Sequence, residues 1–173
     1  MLKTIAIEKN HNEFYKFSTM LKSVVIGKGE RREHILNIQV KNGIACKTNG
    51  KVLLYFDTIL DDGYYKAVSH TSKCIVFEKG EEVTYPNIDD IINQDYNIEE
   101  SYKIDEIDIN ISKILYFAAF NKVCVNFRYL DIFFKSFNKK QIIDEFVKFR
   151  LGTDLIELEF RNIKFICMGI NVE

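Results

Sequence analysis

Residues able to do chemistry are few in this chain, and their spacing argues against most reactions. The histidines are His11, His34 and His70, none in a His-x-x-x-His or His-Glu-x-x-His frame, so no metal centre is expected. Asp61-Asp62 and Asp89-Asp90 are adjacent carboxylates that could in principle share acid and base roles. Both lie in polar, turn-like stretches where acidic residues are usual. Lys28-Gly29 and Asn49-Gly50-Lys51 lack the spacing of a phosphate-cradling loop, and Gly50-Lys51 reads as a hairpin turn. Cys46, Cys74, Cys124 and Cys167 are widely spaced, without a C-x-x-C, and sit in apolar runs. They read as free thiols in a reducing compartment. The expectation is a protein that is not an enzyme and carries no metal or cofactor.

The positive signal is electrostatic. At about 100° per residue, Asn126–Lys140 has two faces. Phe127, Leu130, Phe133, Phe134 and Phe137 share one side, and Arg128, Lys135 and Lys139 gather on the other. Residues 12–26 repeat the design. Phe14, Phe17, Leu21, Val24 and Val25 form the apolar face; Asn12, Lys16, Thr19 and Ser23 lie opposite, with Lys22 at the margin. Helices anchored by an apolar side and backed by cations could touch phosphates without reading bases. The same lysines could simply solubilise the helices.

The elements positioning these helices are mostly strands. Residues 2–8 alternate like a strand, and Gly27 and Gly29 should end the first helix. Ile35–Val40, Ile44–Lys47 and Val52–Phe56 read as a three-strand meander, with Asn42-Gly43 and Asn49-Gly50 as turns. Tyr64–Ser69 and Lys73–Glu78 look like paired strands. Residues 86–104 read as a linker or irregular excursion, and Ile111–Phe120 as a short helix or a buried strand. After helix 126–139 come strands Phe146–Leu151, Leu155–Phe160 and Ile163–Met168, with Glu157 and Glu159 alternating against Ile156, Leu158 and Phe160. The predicted class is α+β: two pseudo-repeats of a helix followed by an antiparallel β-meander. In one domain of 173 residues, the first repeat takes about 1–60, an insertion or connector about 61–104, and the second repeat about 105–173.

The composition is 47% hydrophobic and 28% charged, that of a globular protein, with a net charge of −1 that gives no global attraction to nucleic acid. Fourteen Phe and nine Tyr, with no Trp, predict an aromatic core. No apolar run reaches membrane-spanning length, and the N-terminal residues are too polar for a signal peptide. A cytoplasmic location without membrane contact is therefore expected.

Several stretches resemble the bacterial sliding clamp, the β subunit of the replicative polymerase, and its phage or mobile-element relatives. Val40-Lys-Asn-Gly43-Ile-Ala-Cys-Lys-Thr48-Asn-Gly50-Lys-Val-Leu53 resembles the family hairpin V-x-x-G-x-L-x-x-x-T-D-G-H-R-L. Tyr85-Pro86-Asn87-Ile88-Asp89-Asp90-Ile91-Ile92 resembles its F/Y-P-x-x-x-x-V-I-P connector, without the closing proline. Asn126-Phe-Arg-Tyr129-Leu130-Asp131 resembles the start of a clamp helix, F-N-x-x-Y-L-x-D. Met168-Gly169-Ile170-Asn-Val172 is similar to the C-terminal M-P-M-R-L, with Gly169 in place of proline. The resemblance implies a DNA-clamp fold and a processivity role in DNA replication. Copies assemble into a homo-oligomeric ring whose helices face duplex DNA, and DNA polymerase or other replication proteins dock a peptide near the C-terminus. It implies that Lys and Arg on the helices touch DNA phosphates, a role that would fall to Lys16, Lys22, Arg128, Lys135 and Lys139 here, and by position it puts Met168, Ile170 and Val172 in the peptide cleft. A full clamp subunit repeats its domain three times, so a ring of chains this short would need roughly six copies. The alternative is a clamp-fold interaction module that binds replication proteins without encircling DNA.

Overall fold

Asn42 and Gly43 both adopt positive φ, 53° and 75°, so the chain reverses in the mirror-image turn that suits strand twist and closes a tight hairpin with Lys41 opposite Ile44. This hairpin sits in the first of two units of a computed structural model that describes residues 3–96, 98–103, 114–115, 118, 123–137 and 145–169. The units are Met1–Pro86 and Asn87–Glu173.

In the first unit, β1 (Thr4–Glu8) is followed by helix α1 (Phe14–Ser23), a one-turn helix α2 (Glu33–Leu36), and strands β2 (Ile38–Lys41), β3 (Ile44–Thr48), β4 (Val52–Asp57), β5 (Gly63–His70) and β6 (Cys74–Gly80). The strands lie in the order β1-β6-β5-β2-β3-β4, with every pairing antiparallel. The second hairpin is longer than the first. Thr48 faces Leu53, and the Asn49 Oδ1 accepts the N–H groups of Lys51 and Val52, both at 3.0 Å, around Gly50 at φ 83°. α1 anchors through Phe17, whose ring meets Phe56 at 5.0 Å and Phe77 at 5.1 Å.

The second unit holds α3 (Asp89–Ile92), β7 (Ile98–Lys103), helix α4 (Phe127–Lys135), β8 (Phe146–Leu151), β9 (Leu155–Phe160) and β10 (Ile163–Met168). Its strands run β10-β9-β8-β7, again antiparallel. Arg161 and Asn162 form another mirror-image turn, at φ 48° and 60°. Phe133 stacks on Phe165 at 4.6 Å, and the Phe137 ring meets Phe160 and Phe133 at 4.8 Å. These contacts bring α4 onto β9 and β10. Ile114, Leu115 and Ala118 are helical, with Ile114 and Ala118 buried.

The expected α+β repeat is present: α1 precedes the meander β2-β3-β4, and α4 precedes β8-β9-β10. The stretch 61–104, expected as an insertion or connector, supplies three strands. β5 and β6 pair with β2 and β1, and β7 pairs with β8. Other differences are local. α1 ends at Ser23 with Val24 as its C-cap, before Gly27. Ile35 and Leu36 belong to α2 rather than to a strand. Thr19 and Ser23 are buried, not solvated, and Phe127 is 55% exposed. Periodicity fixes a side chain's azimuth on a helix; it does not say whether anything covers the first turn. The buried residues of α4 begin at Leu130.

α4 starts where the sequence placed it. Asn126 is extended (φ −76°, ψ 110°) and its side-chain Oδ1 accepts the Arg128 N–H at 3.1 Å. Asn126→Ala should cost about 1 kcal/mol in urea unfolding, while Asn126→Asp should be close to neutral. Equal losses in the two variants would contradict the capping role.

Two buried polar clusters stiffen the units. Lys47 is 2% exposed and donates to the carbonyls of Ile35 (2.8 Å), Leu36 (3.1 Å) and Asn37 (3.4 Å), where α2 ends. In the second unit, Glu157, 1% exposed, binds the Arg150 guanidinium and accepts the Tyr96 hydroxyl at 2.9 Å. Arg150 also reaches Glu99 (2.6 Å) and Glu159 (3.0 Å), and Lys148 reaches Glu99 at 3.2 Å.

Candidate nucleic-acid interface

The predicted DNA-contacting cations have unequal fates. On α1, Lys22 is exposed. It lies close enough to His70 that its charge, added to burial of the ring, lowers the His70 pKa; the same ring meets the Ser18 hydroxyl at 3.0 Å. Lys16 is turned back. Its ammonium donates to the Asp57 carbonyl at 2.9 Å and lies 5.5 Å from the centroid of the Phe56 ring. That lysine closes the end of β4 before it offers charge outward. On α4, Arg128 is exposed at the first turn. Lys135 is exposed and paired with Asp131 one turn earlier at 2.6 Å. Exposed i,i+4 pairs of this kind are worth only a few tenths of a kcal/mol, so a phosphate can compete for the lysine. Lys139 lies outside the described residues.

Of the predicted peptide cleft, Met168 ends β10, half-buried and opposite Leu155. Ile170 and Val172 lie outside the described residues. Gly169 has a structural explanation. Its N–H donates to the Asp154 carbonyl at 2.6 Å, and an added Cβ would stand 2.7 Å from that oxygen. The proline of the resembled motif would lose the hydrogen bond and collide with the turn, so the departure belongs to this chain's own β9–β10 packing.

The residues considered for catalysis are dispersed. Asp61, Asp62, Asp89 and Asp90 are exposed; Asp61 pairs with Lys3 at 3.5 Å, and Asp90 accepts from Asn87 at 3.1 Å. His11 accepts the Glu13 N–H, and His34 meets the Tyr85 ring edge-on at 6.3 Å. Among the described residues no group of three His, Cys, Asp or Glu side chains is placed to hold a metal. The four cysteines are free, Cys46 and Cys167 buried and the other two partly so. Burial pushes the Cys167 thiol up to about 12, away from thiolate chemistry. No described helix is long and apolar enough to cross a membrane.

Comparison with solved structures decides the fold. The DNA polymerase III subunit beta of Borrelia burgdorferi superposes with a TM-score of 0.65 over 98% of this chain and 65% of its own, at 8% identity. The chain has the bacterial sliding-clamp fold. The Bacillus subtilis DNA polymerase sliding clamp matches at 0.61 over 99% of this chain and 65% of its own, with 9% identity. The Helicobacter pylori beta clamp, solved with a DNA ligase peptide bound, matches at 0.59 over 99% and 67%, with 12% identity. This chain thus spans about 65% of the first two of these proteins. No protein-family model and no curated protein matches the sequence. At such identities the likeness resides in backbone architecture: the repeated helix and meander, not conserved side chains.

Sequence reasoning missed the carboxylate–guanidinium cluster around Arg150. Its signal was Arg150 and Lys148 alternating on β8 and Glu157 and Glu159 alternating on β9; only the register, which sets Arg150 opposite Glu157, turns the two patterns into one cluster.

Proposed function

We propose that the protein is a sliding-clamp-like processivity factor of a phage or mobile element, one that tethers replication proteins to duplex DNA and performs no chemistry itself. The observation that carries this reading is a clamp fold matched over 98% of the chain. Its two longer helices carry exposed cations, Lys22 on one and Arg128 and Lys135 on the other. Contact with DNA is to phosphates and independent of sequence, so affinity falls steeply with salt, by about 0.9 in log K per log salt for each contact. The working form is a homo-oligomer in the cytoplasm, and DNA polymerase or another replication protein docks beside Met168, Ile170 and Val172.

Charge reversal tests it. Changing Arg128, Lys135 and Lys139 together to Glu should abolish retention on duplex DNA at low salt while leaving the far-ultraviolet circular dichroism unchanged. Light scattering after gel filtration supplies the second arm. A strict monomer whose DNA retention does not depend on salt would sink the reading.

A second reading has its own support: a clamp-fold module that binds replication proteins without encircling DNA. Lys16 is committed to the Asp57 carbonyl, and the net charge is −1. The Helicobacter clamp of the same fold holds a DNA ligase peptide. A monomer or dimer that captures replication proteins but leaves DNA free would favour it.

A further inference from the structure

Glu13 stands just before the first turn of α1 and is 4% exposed. One carboxylate oxygen, Oε1, accepts the Ile59 N–H at 3.0 Å. Among the described residues the other, Oε2, is buried without a hydrogen-bond partner. A buried carboxylate oxygen without a donor is costly, and a donor arriving from outside would satisfy it.

A recess of about 230 Å³ adjoins it, lined by Asn12, Glu13, Lys16, Asp57, Thr58 and Ile59. Pockets for cofactors and drug-sized ligands run from roughly 300 to 1,000 Å³, so this one suits a single long side chain. Its chemistry selects the sign. Glu13 and Asp57 are acids, and Asn12 and Thr58 add neutral acceptor oxygens. Among the described lining residues the cation is Lys16, whose ammonium donates to the Asp57 carbonyl. An anion would meet two carboxylates, and an apolar group would leave Glu13 Oε2 unpaired. Ile59, 76% exposed, offers an apolar surface beside the acids.

We propose that this recess docks an arginine side chain of a partner protein, with Glu13 Oε2 as the recognising acceptor, Asp57 as a second carboxylate and Ile59 against the aliphatic stem. A guanidinium supplies five donors in a planar fork, and its weak hydration makes it the cation best suited to a partly buried carboxylate. The surface belongs to the first unit.

The test uses the full chain, labelled with ¹⁵N and titrated with N-acetyl-arginine amide, N-acetyl-citrulline amide and calcium chloride. The arginine compound should give saturable shifts at the Lys16 and Ile59 amides, and uncharged citrulline should bind at least about tenfold more weakly. Glu13→Gln keeps an oxygen for the Ile59 N–H and should reduce arginine affinity at least about tenfold. Asp57→Asn, at an exposed position, should reduce it in the same direction without touching the fold, and decides the matter if Glu13→Gln does not fold. Absence of saturable shifts, equal binding of citrulline, unchanged affinity in Asp57→Asn, or saturation by calcium but not by arginine would each overturn the proposal.

Discussion

Arg150→Met should destabilise the second unit by roughly 3 kcal/mol or more, the range seen when one partner of a buried ion pair is removed. The Arg150 guanidinium binds Glu157, and that carboxylate is 1% exposed. Burial works against the charge of Arg150, but the hydrogen bonds it donates to Glu99 and Glu157, with the nearby acids Glu157 and Glu159, together outweigh it and raise the pKa above the ordinary arginine value. Methionine keeps the stem and removes the fork that joins Glu99, Glu157 and Glu159. Arg150→Met combined with Glu157→Leu should recover a large part of the loss, because the buried carboxylate goes with its partner. Urea unfolding followed by circular dichroism reads both. A single variant within about 0.5 kcal/mol of the parent would show that the cluster is decorative.

The same variant should blunt acid sensitivity. Bonds from Arg150 and then Lys148 hold the Glu99 carboxyl below the ordinary carboxylate range. A carboxylate with a lowered folded pKa contributes stability that is present at neutral pH and lost as pH falls through that lowered value. Without Arg150 part of this dependence disappears, so the parent and variant curves should converge in acid.

How far the sequence carried depends on the range of the physics involved. Turns were legible because Asn-Gly chemistry is local: Asn42 and Gly43 occupy the positive-φ positions such a pair favours. The buried run Leu130, Phe133, Phe134 and Phe137 was legible because helical period is local too. α2 was not, since a four-residue helix has too few turns to show a period. The faces of α1 were only partly legible. Thr19 and Ser23 are polar but small, so burying them costs little space, and Lys16 is long enough to leave its own face and reach Asp57. The burial of Lys47, Glu13 and Glu157 was invisible because each meets a partner from another element, Ile35, Ile59 and Tyr96 respectively, and residue type alone places such groups at the surface. The proposed recess at Glu13 depends on the same long-range information, since Ile59 is brought to it from the far end of β4.

Lys47 gives the other large effect, and its sign is unusual. Burial pushes the ammonium down to about 8, with the neighbouring Cys46 pulling weakly the other way. In the unfolded chain the same lysine titrates near 10.4. Between about 8 and 10.4, then, the unfolded state holds a proton the folded state has released, and linkage makes stability rise with pH across that window. The slope approaches about 1.4 kcal/mol per pH unit, on the order of 3 kcal/mol in all. Other groups oppose it. The Cys167 thiol is pushed up to about 12, and burial raises Tyr85 and Tyr96 as well, so each of these favours unfolding as its unfolded counterpart ionises. The parent protein alone would therefore show a blurred profile. Lys47→Met isolates the lysine: it fills the same channel without a titrating group and leaves the carbonyls of Ile35, Leu36 and Asn37 without their donor. The stability of the parent relative to this variant should climb between pH 8 and pH 10 in urea titrations. A difference that stays flat or falls across that interval would mean that Lys47 keeps its proton in the fold, held by the three carbonyls more strongly than burial expels it.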